Sequence, residues 1–250
     1  MEKSLEAITK WLRDSGLKVN DAKTEICLFH RNVTRSIDIT INDVTLKSSP
    51  VIKVLGVIFD SQLKWSQQVA NTVKKSKSAL NAIKLIKKHF TIPEIKNLLT
   101  SNFFSILYYN SEIWHMPSLN PKLKQTILSA SANALKLCLQ HYDPMISFTN
   151  VHIQTNRAHP DKYCIYKHAL MLHKIYNNQT PKLDWISLNF NQNFNQRNQY
   201  FMSHSNSNFK IGRNKLSERM IQLNKKIKLD DLNLEYTPYK IKCKLKFLSN

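Results

Sequence analysis

Lys74, Lys77, Lys84 and Lys88 are the residues whose type and spacing point most directly at chemistry. At about 100° per residue they fall within an arc of roughly 80° on a helix, with Asn81 among them, so one helix edge would carry four ammonium groups. Val69, Val73, Leu80 and Ile83 occupy the neighbouring arc. Such a helix packs on one side and runs a stripe of about 21 Å along a phosphate backbone on the other. Lysine is a point charge that suits phosphate without reading bases, so this contact would be shape-driven and salt-sensitive. The plain alternative is a solvated helix face. Lys240, Lys242, Lys244 and Lys246, alternating with Ile241, Cys243 and Leu245, would either extend the basic surface or form a soluble tail.

Other constellations are weaker. His159, Cys164, His168 and His173 cluster in sequence, with Cys164 and His168 one helical turn apart. Their spacing matches no zinc pattern well, so an ordinary helix with polar and half-buried side chains is expected and no metal site is assigned. The Asp230-Asp231 pair has the chemistry to hold a divalent ion, but it sits among lysines in a turn-like stretch and is expected to be solvated. No Ser/His/Asp or Cys/His arrangement can be assembled from the scattered remainder.

The elements that must position these residues follow from composition. The 250 residues are 42% apolar, which is ample for a core and excludes collagen-like, disordered and disulfide-scaffold chains. Three glycines leave little material for glycine-rich phosphate loops or turn-dense β architectures, so helices should dominate. The net charge of +20 is the footprint of a polyanion partner, nucleic acid first and an anionic membrane surface second. That charge is uneven: residues 1–60 hold nine Lys+Arg against eight Asp+Glu, and residues 61–250 hold 28 against nine. The four cysteines form no C-x-x-C pair and the N-terminus is no signal peptide, so the reading is a reduced, intracellular protein of nucleus or cytoplasm. The densest apolar run, Phe103 to Tyr109, is far too short to span a membrane.

Along the chain, Leu5, Ile8, Trp11 and Leu12 recur at helical spacing up to Ser15-Gly16, where the glycine suits a left-handed C-cap. Ile37, Ile39 and Ile41 alternate with polar residues, and Asn42-Asp43 then signals a two-residue hairpin into Val44 and Leu46. Residues 51–59, VIKVLGVIF, predict a buried strand. Helices are expected over 65–90, over 93–115 with Thr91 as cap, over 121–141 and over 161–177. Residues 183–209, with seven asparagines and three glutamines, predict an irregular connector, and 215–247 a basic stretch of short helical or extended runs.

The first sixty residues also carry a familiar pattern. Trp11-Leu12, then Gly16-Leu17-Lys18-Val19-Asn20-Asp21-Ala22-Lys23-Thr24-Glu25, resembles the W-x-x-x-x-G-L-x-x-N-x-x-K-T-E segment of reverse transcriptases of non-LTR (LINE-like) retrotransposons. Val54-Leu55-Gly56-Val57-Ile58-Phe59-Asp60 with Leu63-Lys64-Trp65 is similar to that family's Y-L-G-V-x-x-D-x-x-L-x-W segment, which leads from the palm into the helical thumb. Tyr109 to Trp114 resembles the thumb-region Y-x-x-E-x-W, and likeness is loose beyond it.

The resemblance implies an α+β chain. A small antiparallel palm remnant occupies 1–62, a mainly helical thumb-like region 63–142 and a helical C-terminal region 143–250. It implies that Lys23 lies beside the nucleotide site as proton donor to departing pyrophosphate, that the Leu55-Gly56 strand touches the primer's 3′ end, and that Lys74 to Lys88 hold an RNA template and DNA primer. Polymerases of this kind use carboxylates to hold two Mg²⁺ ions about 3.5 to 4 Å apart. In the family these come from an early strand aspartate and an [FY]-x-D-D turn upstream of the first motif. Neither is in this chain, and Lys228-Leu229-Asp230-Asp231 is no substitute, lying on the wrong side without the aromatic residue. The expectation is therefore a C-terminal piece of an RNA-directed DNA polymerase, inactive alone, without a cofactor of its own, dependent on an upstream palm and fingers segment, and retaining at most template-primer binding. The alternatives are a stand-alone basic nucleic-acid-binding helical module and a helical interaction protein whose charges are merely solvated. Deprived of the catalytic strands, the sheet of residues 26–59 would expose apolar surface, so residues 1–62 are expected to be poorly soluble when isolated.

Overall fold

The computed structural model describes residues 2–29, 36–41, 44–116, 118–139, 143–180, 189–190, 202–203, 223, 227, 231 and 234–248. Most of the Asn-rich connector, the Asn42-Asp43 turn, His141, Asp230 and most of 215–233 lie outside these residues. The chain is mainly helical with small antiparallel strand pairs, an α+β arrangement. It divides into two compact units, Met1–Trp65 and Ser66–Asn250.

The first unit opens with α1 (Glu2–Asp14). Gly16, at φ 70°, ends it: the Gly16 N–H donates to Arg13 O and the Leu17 N–H to Leu12 O, a Schellman closure that needs a left-handed residue after the cap. β1 (Asp38–Ile41) pairs antiparallel with β2 (Val44–Lys47), Ile41 opposite Val44, as the alternation predicts. Residues 51–59 differ from expectation. They form not one buried strand but a hairpin, β3 (Val51–Val54) against β4 (Val57–Asp60), with Val54 opposite Val57. Leu55 (φ 46°) and Gly56 (φ 83°) make the turn, and positive φ at both central residues matches the right-handed strand twist. Leu55 is 85% exposed, while Val57 is buried. Exposed apolar side chains are frequent in this unit, among them Ile8, Trp11, Leu17 and Val54.

The second unit begins with α2 (Ser66–Ile86), whose buried face carries Val69, Val73, Leu80 and Ile83 as the periodicity predicts, with Gln68, Thr72 and Ser76 beside them. A capping box starts α3 (Ile92–Leu98): Glu94 accepts from the Thr91 N–H at 2.7 Å. The expected single helix over 93–115 is broken. A π-turn spans Leu99–Phe104, α4 (Ser105–Leu107) is one turn, and Asn110 at φ 47° precedes α5 (Ser111–Trp114). The wider π-turn lets consecutive Phe103 and Phe104 both face the core, their rings edge-to-face at 5.0 Å. α6 (Pro121–Leu135) starts on an Asn120 cap, α7 (Phe148–Gln154) on a Ser147 cap and α8 (Pro160–Tyr176) on His159. Within the connector, Asn189–Phe190 pairs with Met202–Ser203.

The C-terminal lysine-rich stretch is neither extended nor a tail. It is a helix, α9 (Tyr236–Leu248), whose Tyr239, Cys243 and Phe247 are buried one turn apart against Tyr166, Ala169 and Leu172 of α8. The Tyr239 hydroxyl donates to Ala169 O at 2.9 Å. Ile241 and Leu245 face outward instead. Asp231 is also not solvated: it is buried and paired with Lys242 of α9.

Candidate nucleic-acid interface

Helix α2 contains four lysines and no acidic residue. Lys74, Lys77, Lys84 and Lys88 are all exposed, and Asn81 lies between them on the same edge. Packing of α2 on α6 then does what the periodicity of one helix does not reveal: it brings a second basic edge alongside. Lys77, Asn81 and Lys84 line an open groove of about 460 Å³, faced from the other wall by Asn133 and Lys136 and floored by Leu80 and Ala130. The α6 wall has no acidic residue either, and the described lining of the groove contains no carboxylate. Lys74 and Lys88 are not part of that lining and extend the basic edge beyond it along α2 and the following turn. Asn81 and Asn133 add amide donors between the charges. Cations and amides on a shallow, open floor suit a chain of phosphates rather than an enclosed small molecule.

Lys136 and Asn133 were not among the residues singled out in the sequence. Their i, i+3 spacing puts them on one helix face, but which helix that face meets is decided by tertiary packing. Lys136 also stands 5.6 Å from the centre of the Phe148 ring, an additional restraint on its stem.

Lys23, Leu55 and Gly56 lie in the first unit. Asn20 organises the turn that carries Lys23: its carbonyl and side-chain oxygen accept from the Lys23 N–H at 3.0 and 3.2 Å, and the carbonyl accepts from the Thr24 hydroxyl at 2.9 Å. The Asn20-x-x-Lys23-Thr24 spacing is thus a local turn that presents an exposed lysine. Leu55 and Gly56 form the hairpin turn described above rather than the middle of a strand. Asp60, which follows, accepts from the N–H groups of Gln62, Lys64 and Trp65 at 3.2, 2.9 and 2.8 Å. The D-x-x-L-x-W spacing is explained by this: one carboxylate fastens the loop in which Leu63 and Trp65 both take positive φ.

The histidine and cysteine cluster on α8 has other occupations. His159 caps the helix, its Nδ1 accepting from the Asp161 N–H at 3.2 Å. His168 is buried with its Nδ1 2.6 Å from Cys164 O, and His173 is buried with Nε2 2.8 Å from Leu234 O and its ring stacked on Tyr239 at 4.3 Å. His168 and His173 are therefore core residues rather than half-buried ones. Among the described residues no group of three His, Cys, Asp or Glu is placed to hold a metal. The four cysteines are free.

Two histidines that the sequence did not single out are strongly perturbed, in opposite directions. Buried His115, at the end of α5, places Nε2 3.2 Å from Asp161 Oδ1. Burial works to lower its pKa, but the neighbouring Cys164 and the Asp161 carboxylate outweigh it and hold the imidazole up at about 9. The nearby His115 imidazole in turn holds Asp161 below the ordinary carboxylate value. His152 moves the other way, down to about 4, chiefly because burial disfavours its charge.

No helix among the described residues is long and apolar enough to cross a membrane. Compared with family models, curated proteins and solved structures, the chain finds no match in any of the three.

Proposed function

We propose that this chain is the C-terminal part of a non-LTR retrotransposon reverse transcriptase, with a palm remnant and a thumb, and that it holds an RNA template paired to a DNA primer. The observation that carries the reading is the lysine groove between α2 and α6, with Lys77, Lys84 and Lys136 facing one another across about 460 Å³ of open space and no acidic residue among its described lining. Lys74 and Lys88 continue the contact along α2 and the turn that follows it. Such a surface neutralises phosphates and reads duplex shape, so its affinity falls log-linearly with salt. Lys23 presents its ammonium group toward the nucleotide phosphates, and the Leu55-Gly56 turn meets the primer end. Phosphoryl transfer needs metal-holding carboxylates that the family supplies upstream of Lys23, so the chain by itself binds and does not extend a primer, and Mg²⁺ belongs to the intact enzyme.

The test is binding of the purified chain to a labelled RNA–DNA hybrid over a salt series, beside a variant with Lys74, Lys77, Lys84 and Lys88 changed together to Gln. Tight binding with a steep salt slope that collapses in the variant supports the reading. Binding indifferent to both sinks it.

A stand-alone binding module is the second reading, and one observation favours it: the groove is built entirely within the second unit, Ser66–Asn250. Primer extension in the presence of an added palm and fingers polypeptide separates the two, since a stand-alone module gives none.

A further inference from the structure

We propose that a second site, which shares no described lining residue with the lysine groove, binds a single phosphoryl group through Arg157 and Lys96. A cavity of about 150 Å³ is lined there by Lys96, Leu99, Phe104, Thr155, Asn156 and Arg157. That volume is well below the roughly 300 Å³ at which pockets for drug-sized ligands begin, so it admits a phosphoryl group and not the nucleoside attached to it.

The fold prepares Arg157 for an anion. After α7, Asn156 takes a left-handed φ of 51°, its N–H donates to Ile153 O, and the Arg157 N–H donates to His152 O at 2.9 Å. This Schellman closure fixes the backbone from which the guanidinium extends. The guanidinium lies 4.1 Å from the centre of the Phe104 ring and Nη1 donates to the Thr100 hydroxyl at 3.0 Å. Both partners belong to the π-turn Leu99–Phe104, a helix irregularity that recurs at functional sites. The arginine is therefore half-buried and held at two points, yet among the described residues no carboxylate pairs with it. Lys96 brings a second positive charge to the same lining, whose described residues include no acidic side chain. A stacked, oriented guanidinium with spare donors is the geometry that recognises phosphate by a forked hydrogen bond. The ligand is inorganic phosphate or a terminal phosphate on a polynucleotide, and the two share this chemistry.

The experiment titrates the full chain with inorganic phosphate, following the Arg157 side-chain Nε–H resonance and the melting temperature, in the parent and in Lys96→Gln and Arg157→Gln. Saturable binding that weakens about tenfold or more in Arg157→Gln and several-fold in Lys96→Gln is the expected result. Lys96 is exposed, so Lys96→Gln keeps the fold even where loss of the Arg157 stack does not. A 5′-phosphorylated oligonucleotide binding better than its 5′-hydroxyl twin identifies the terminal phosphate as ligand, and equal binding of the twins, with phosphate still saturable, identifies the free ion. Absence of saturable phosphate binding, or binding that neither variant weakens, overturns the site. The variant lacking Lys74, Lys77, Lys84 and Lys88 keeps phosphate affinity if this inference holds, so its failure is distinct from that of the duplex reading.

Discussion

The carboxylate of Asp60 and the backbone of Trp65 are joined across five residues, Asp60 Oδ2 accepting from the Trp65 N–H at 2.8 Å. Trp65 stands at φ 66°, a backbone state that a bulky residue adopts only when its surroundings impose it, and its buried ring lies edge-on to Phe59 at 5.3 Å. The carboxylate and the ring together turn the chain out of the β3–β4 hairpin immediately before α2 begins.

Asp60→Ala removes the acceptor of three N–H groups at once. A loss of about 2 to 4 kcal/mol is expected, since hydrogen bonds to a charged group each contribute about 1.5 kcal/mol or more but the loop is partly solvated. Thermal unfolding checks it, and Asp60→Asn, which keeps one acceptor oxygen, falls between parent and Ala. Equal melting temperatures for all three would show that the loop holds itself.

What was legible in the sequence is what short-range chemistry decides. Gly16, the Thr91 cap and the packed face of α2 all act within a turn or two of themselves, and the structure keeps them. Residues 51–59 misled because apolar side chains run through the turn: Leu55 stands in a left-handed position without the Asn-Gly or Asp-Gly pair that normally advertises it. The alternating lysines of α9 imitate a strand, and only the meeting of Tyr239, Cys243 and Phe247 with α8 selects the helical period. The same docking brings Lys242 to Asp231, and the packing of α6 on α2 brings Lys136 to the groove. Long-range pairing of this kind leaves no mark in a local window.

The α8–α9 contact yields a clean hydroxyl test. Tyr239→Phe deletes the donor to Ala169 O while leaving the ring stacked on His173. About 1 kcal/mol of destabilisation is expected, because the Ala169 carbonyl keeps its helical bond. Leu172→Ala, in the same fully buried cluster, costs about 2 to 5 kcal/mol through lost burial and a cavity. Chemical denaturation of both variants ranks them; a reversed order would mean that hydrogen bonding rather than packing holds α9.

Two histidines set opposite edges to the pH range of stability. His115 is raised from its ordinary value of 6.5 to about 9, so its contribution is fully present below pH 6.5 and is lost as pH rises through 9. His152 is lowered to about 4, so its neutral form stabilises the fold fully above pH 6.5, and that contribution is lost as pH falls toward 4. Melting temperature against pH should fall on both sides. His115→Gln flattens the alkaline decline and leaves the acid one, and a profile unchanged above pH 7 in that variant would refute the assignment.

The groove makes a quantitative demand on salt dependence. Each lysine that neutralises one phosphate adds about 0.9 to the slope of log affinity against log salt for a B-form duplex, and a hybrid should lie near that value. Replacing Lys77, Lys84 and Lys136 by Gln should therefore reduce the slope by about 2 to 3 and weaken binding uniformly across sequences. Lys75 is the internal control: it sits on α2 but outside both the stripe and the groove lining. Lys75→Gln should leave the slope within a few tenths of the parent. If Lys75→Gln moved the slope as much as Lys77→Gln does, the attraction would come from the net charge of the chain and not from the α2–α6 groove.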